Sequence, residues 1–444
     1  MKSFSAYRVL FIIALIHAFY FIAALFFQGT YLVDSFGYVM QAENWNNHQT
    51  LYAENWNSPL LIDYFSIRPP LYAWIISALG RLTSSVYVLL FLQNILSIFN
   101  CWLVYLFALK NGCNPKTTSI ITVIAILCYP AQMIHANFVM TEILFQSFLI
   151  GLFLTLILFY NQPTITRSLF IGVLLSLCLL TKPISLFMPF FVGASMLWSI
   201  AKHKANWLLI IPIVIPAMTF NGICMQNKHA TGYYHYSSIK NINHLKYNAR
   251  YTLMMAKGEK YADSSITAIM EFANTQANYA LRLQTMNKQA NTIIFEYPVA
   301  FCWVYVKGFV SFFLDPGRFD AYHFLHMEEK STLGLMYELQ TKGFSAFIHF
   351  IQKAPILLLL LLLVNLCWNT FVFLAFCYAV WLFIKQTPAR TFFSIMLFTI
   401  VLYIAAATGP VGVSRYRVPV YPLLMLNLLW IADGFIKRKK NTHA

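Results

Sequence analysis

Apolar runs of about twenty residues recur along the chain, separated by short polar stretches, from near Val9 to near Phe435. Each run is long enough for a helix to cross the hydrocarbon core of a bilayer. The pattern predicts about ten spans, at 9–27, 84–109, 118–134, 142–160, 166–181, 184–200, 206–221, 355–384, 391–408 and 418–436. Strands of a β-barrel would alternate over short segments instead, so the fold class is an all-α polytopic membrane protein. The run 355–384 exceeds one perpendicular crossing and is expected to tilt or to lie partly at the interface. Between the spans, the pattern divides the chain into an N-terminal membrane module (1–221), a large outer loop domain of mixed polar sequence (222–354) and C-terminal membrane helices (355–444).

Composition agrees. Of 444 residues, 59% are hydrophobic and only 10% charged, against roughly 25% charged in soluble domains. That excludes an ordinary soluble protein and a disordered one. The eight cysteines show no CxxC or Cys/His metal spacing, and only Cys224 and Cys302 lie in a segment where a disulfide is conceivable.

Charge then orients the spans. The net charge is +16. In a soluble chain that would suggest nucleic acid, but here its sidedness is the question. With the N-terminus inside, Lys2, Arg8, Lys110, Lys116, Arg167, Lys202, Lys204, Lys385, Arg390 and the tail Lys437-Arg-Lys-Lys440 face the cytoplasm without an acid among them. Asp433 alone of the acids lies near the inner end of a span. This is the positive-inside asymmetry. Counting the apolar but short 69–82 as a span would reverse everything after it, so this segment is expected to be an interfacial or re-entrant helix on the outer surface, begun by Pro69-Pro70. The stretch 293–314 is read as an amphipathic helix on the membrane surface. The outer loop 222–354 is taken as the least regular part and as the place of acceptor recognition.

Candidate chemistry gathers on the outer side. Asp34 stands just beyond the first span, in the first outer loop 28–83, in a stretch that places Asp34, Tyr38, Ala42 and Trp45 on one helix face. It is either a helix cap or a general base whose pKa is raised by nearby membrane and aromatic groups. Arg68, in Arg68-Pro-Pro-Leu-Tyr72, is either a headgroup anchor or a phosphate ligand. Glu142 opens a span, where an acid also suits the helix dipole. Lys182 occupies a tight outer turn, and Arg415 and Arg417 another, against the trend that keeps bases inside. Bases in such turns point to an anionic ligand such as a lipid phosphate, with snorkelling to the headgroups as the competing account. His17 reads as a packed helix residue and His135 as a weak candidate beside Glu142.

Taken in order, Asp34-Ser-Phe-Gly-Tyr38 with Ala42, Arg68-Pro-Pro-Leu-Tyr72, Thr141-Glu142, Thr181-Lys182-Pro183 and Arg415-Tyr-Arg417-Val-Pro419-Val-Tyr421-Pro422 resemble the GT-C membrane glycosyltransferases. The similarity is to the protein O-mannosyltransferase and lipid A aminoarabinose transferase group, over roughly residues 9–435. The resemblance implies an inverting transfer of a sugar from a polyprenyl-phosphate carrier to an envelope lipid, glycan or protein on the outer face. Asp34 would be the catalytic carboxylate and Glu142 a supporting acid. Arg68, Lys182, Arg415 and Arg417 would bind the donor phosphate. No metal site is assigned, although a divalent cation as cofactor stays open. Ser35 departs from the group, many of whose members carry Glu there, and argues against a paired-acid site.

Two other readings compete: a transporter or flippase of lipid-linked substrates, and an envelope polysaccharide polymerase or ligase. Spans nearly free of charge, with the charged candidates at one face, argue against the first, and the early Asp34 argues against the second. The location expected is a bacterial inner membrane with both termini in the cytoplasm.

Overall fold

A computed structural model describes residues 2–327, 354–385 and 391–441, with a few positions between 343 and 352. Arg390, one of the expected cytoplasmic bases, lies outside the described residues. Those described are mostly helical, with no strand among them. Seven helices are long and apolar enough to cross a membrane, or eight if one sharply bent pair is a single span. The protein is therefore an integral, multi-pass membrane protein.

The first helix, α1 (Lys2–Phe27), shows how the pattern sets the packing. Phe11, Leu15, Phe19, Ile22 and Phe26 form an exposed stripe at helical spacing, while Val9, Ile13, His17 and Ala24 are buried. In water that stripe would be a liability; in lipid it is the outer wall. The middle of the bundle is α7 (Glu142–Asn161), α8 (Ile165–Thr181) and α20 (Tyr421–Asn441), joined by an apolar core that includes Leu149, Phe153, Leu175 and Leu424. Between α1, α4 (Val86–Lys110) and α7 runs a polar seam. His17 shares a hydrogen bond with Ser97, Gln132 bonds both Ser97 and Gln146, and Asn100 donates to Gln146. Buried amides in a membrane must satisfy one another, and the seam locks the register of these helices.

Three of the expected spans are helices of 17 residues or fewer: α5 (Pro115–Leu127), α8 and α18 (Thr391–Ala407). Seventeen residues rise about 26 Å, near the lower limit for a crossing. The expected span 118–134 is broken. Proline disfavours helix in the residue before it and lacks an N–H, so α5 ends ahead of Pro130 and a separate short helix, α6 (Ala131–Ala136), follows. By contrast 355–384 is one continuous helix, α17 (Ile356–Lys385), of 30 residues.

Two expectations about the outer parts need correcting. The segment 293–314 is not one surface helix, because α14 (Tyr279–Glu296) and α15 (Pro298–Leu314) meet at a 100° bend on either side of Tyr297. Nor are the described residues of the segment 222–354 irregular. From 222 to 327 they are mostly helical, with α13 (Glu259–Asn274) and α14 packed around Leu245, Leu253, Leu283 and Met286. The helix α10 (Val214–Thr231) also carries the chain past the expected boundary at 221.

The segment after Arg68 forms a separate ten-residue helix, α3 (Leu71–Gly80), beside α2 (Val33–His48). Asp63 staples the loop 28–83 to α14 by accepting from Arg282 at 2.8 Å and from Tyr279 at 2.9 Å. The chain therefore brings the start of α2, the Arg68 loop and the turn before α20 together at one end of the bundle.

Candidate active site

Asp34 lies in the first turn of α2 but does not cap it. The Oγ of Ser35 accepts from the Leu32 N–H at 2.8 Å, and the carboxylate of Asp34 turns away to two guanidinia. Arg68 donates to one carboxylate oxygen at 2.9 Å, and Arg415 stands 2.8 Å from the other. Arg68 also lies over the ring of Tyr38, 4.6 Å from its centre. It reaches this place because residue 37 is glycine: a Cβ there would sit 2.5 Å from the Arg68 Nε. The plain alternatives for these residues, a cap for Asp34 and a headgroup anchor for Arg68, do not describe where the side chains go.

Burial pushes the Asp34 carboxyl up, but the charges of Arg415 and Arg68 and their hydrogen bonds outweigh it and hold the group well below the usual carboxylate range. That reverses the raised pKa expected from the sequence. Membrane and aromatic neighbours are present, yet two cations within 3 Å dominate them.

Glu142 and Lys182 form a second pair, with Nζ 2.7 Å from Oε1. Glu142 is fully buried at the start of α7, and its other oxygen has no hydrogen-bond partner among the described residues. The Nε atoms of Arg68 and Arg415 are likewise buried without one. Arg415 lies within electrostatic reach of Glu142, so the second pair feels the charge of the first.

Arg417 does not join them. It is 1% exposed and donates to the carbonyls of Phe312, Phe313 and Asp315, with its Nε 3.3 Å from the Tyr129 hydroxyl. Each of its three nitrogens is engaged with the wall. The two arginines of the turn divide the work: Arg415 reaches Asp34, and Arg417 turns to the end of α15.

That turn is built by close backbone approach. A Cβ on Gly412 would lie 1.8 Å from the Gly308 carbonyl oxygen, and one on Gly308 would lie 2.2 Å from that of Gly409. Only glycines let α15 and the turn meet this closely. Past α15, Asp315 accepts from the Ser414 N–H at 2.7 Å, and the Ser414 hydroxyl donates to Asp320 in α16 (Arg318–Phe324). Asp320 in turn stands 3.2 Å from the Nε2 of His135. Burial raises both carboxyls. For Asp320, His135, Ser414 and Arg415 outweigh it and the pKa falls; for Asp315, burial and the neighbouring Asp320 prevail and it rises. These two acids are missing from the sequence-based candidates. The signal was Asp315-Pro-Gly-Arg-Phe-Asp320, two acids around a Pro-Gly turn directly after an apolar helix. His135, a weak candidate, sits at the centre of this cluster.

Among the described residues, no three His, Cys, Asp or Glu side chains are grouped so as to hold a metal ion. Cys224 and Cys302 are both free thiols.

No family model matches the chain, and no curated protein matches it. Among solved structures, the crystal structure of ArnT from Cupriavidus metallidurans bound to undecaprenyl phosphate is similar over 96% of this chain and 78% of its own, with a TM-score of 0.38 and 12% sequence identity.

Proposed function

We propose that this protein is an inverting glycosyltransferase that moves a sugar from a polyprenyl-phosphate carrier to an acceptor at the outer face of a bacterial inner membrane, with both termini in the cytoplasm. The observation that carries the reading is the single carboxylate of Asp34 held between Arg68 and Arg415. Guanidinium forks match phosphate oxygens as well as carboxylate oxygens. In the resting site Asp34 occupies them. A donor phosphate entering between the two arginines takes over their hydrogen bonds, and Asp34, released from two cations, becomes more basic.

Asp34 then accepts the proton of the acceptor hydroxyl. The freed oxygen attacks C1 of the sugar from the face opposite the phosphate. The new C1–O bond forms as the C1–O bond to phosphate breaks, with inversion. The electron pair stays on the phosphate oxygen, where Arg68 and Arg415 stabilise it. Phosphate leaves as an anion and needs no general acid, so one carboxylate suffices and the serine at position 35 is no obstacle. Lys182, held by Glu142, supplies a further cation at the same end of the bundle. Arg417 is assigned to the wall rather than to the donor.

The test is mass spectrometry of envelope glycolipids and glycans from deletion cells carrying the wild type or Asp34→Asn. Wild type restoring a species heavier by one sugar, with the variant failing, is the expected result. Equal restoration by both would remove Asp34 from the chemistry.

A further inference from the structure

We infer that Asp320 is a positioning residue for Arg415, acting through Ser414. This inference rests on the proposed function, because it assigns the donor-phosphate grip of Arg415 to a buried support. Ser414 opens the four-residue helix α19 (Ser414–Arg417), the last residue before Arg415. It is gripped twice: its N–H by Asp315 at 2.7 Å and its hydroxyl by Asp320. A helix of one turn has little stability of its own, so these contacts set where α19 begins and which way Arg415 leaves it.

The support is itself rigid. Gly317 donates its N–H to Asp315 at 3.1 Å, Asn369 donates to the Asp315 carbonyl at 3.1 Å, and Asn365 donates to that of Pro316. His135, wholly buried on α6, closes the far side of Asp320 at 3.2 Å. Arg415 is long and reaches Asp34 while Asp34 is present. When a phosphate replaces Asp34 as its partner, the base of the side chain must already stand in the right place, and the Asp320–Ser414 contact supplies that.

The role is separable from ordinary stabilisation by a double-mutant cycle. The probe is decaprenyl phosphate, titrated into purified full-length protein in detergent micelles. Arg415→Ala is expected to weaken binding strongly. Asp320→Asn, which keeps shape but replaces the charged acceptor of the Ser414 hydroxyl with a neutral amide, is expected to weaken it about tenfold in the wild type and by less than about twofold in the Arg415→Ala background. The same factor in both backgrounds, or no loss in the wild type, overturns the inference. Should Asp320→Asn not fold, Ser414→Ala runs through the same cycle with the same two outcomes. In turnover assays the loss should appear in the donor KM rather than in kcat, and a fall in kcat alone would also count against it. Failure of both Arg68→Ala and Arg415→Ala to weaken the probe sinks the proposed function instead, and this inference with it.

Discussion

The hydroxyl of Ser35 accepts the Leu32 N–H at 2.8 Å, so the residue after Asp34, not Asp34 itself, closes the start of α2. Capping and chemistry are thereby divided between adjacent side chains. Ser35→Ala should cost about 1 kcal/mol of stability, as loss of a capping hydroxyl does, and leave transfer per folded molecule near the wild-type rate. Thermal unfolding in detergent beside a turnover assay separates the two. A large loss of turnover at unchanged stability would show that Ser35 takes part in the chemistry.

The depressed pKa of Asp34 has a pH consequence. In the free protein the carboxylate is charged throughout the neutral range, and its ion pairs contribute stability that is fully present above the unfolded value of about 3.9 and is lost as pH falls through the lower folded value. The acid limb of kcat/KM should therefore lie below the ordinary carboxylate range. Arg68→Met removes one of the two cations, so that limb should move to higher pH. A limb that stays in place assigns the titration to another group.

Gly37→Ala tests the approach of Arg68 to α2. The added Cβ falls 2.5 Å from Arg68 Nε, so the guanidinium must move. Helix propensity alone favours alanine by about 1 kcal/mol. The variant is expected to keep or raise its stability away from the site while donor affinity drops at least several-fold. Unchanged affinity would mean that Arg68 need not lie against the helix to bind.

Lys182→Met leaves the fully buried Glu142 without its cation. Removing one partner of a buried ion pair costs roughly 3 kcal/mol or more, and unfolding should show it. The double variant Glu142→Gln with Lys182→Met should recover much of that loss. Recovery of stability without recovery of transfer is the outcome expected if the lysine serves the donor.

Arg417→Lys keeps the charge but offers one ammonium where a planar fork meets carbonyls at Phe312, Phe313 and Asp315. Buried carbonyls losing charged donors cost about 1.5–3 kcal/mol each. The change should therefore lower the unfolding temperature well before it touches donor affinity. A selective loss of affinity at full stability would return Arg417 to the ligand.

Helices, membrane insertion and the grouping of Asp34 with Arg68 and Arg415 were legible in the chain itself. Apolar runs of bilayer length dictate helices because an unpaired backbone cannot stand in lipid, and the arrangement of bases predicts their orientation. What local sequence could not decide was direction. Arg415 and Arg417 look alike in a turn, but one meets Asp34 and the other the end of α15, because Gly308 and Gly412 bring two backbones into contact and leave carbonyls for only one fork. The same holds for Asp34. Its lowered pKa comes from Arg415 and Arg68, neither of which a window around residue 34 contains. Asp315, Asp320 and His135 read singly as turn or helix residues, and only packing brings them together, with Asp320 and His135 buried. Periodicity tells which face of a helix avoids water or meets lipid; the partner of a buried charge is set by which distant elements close over it, and that is decided in three dimensions.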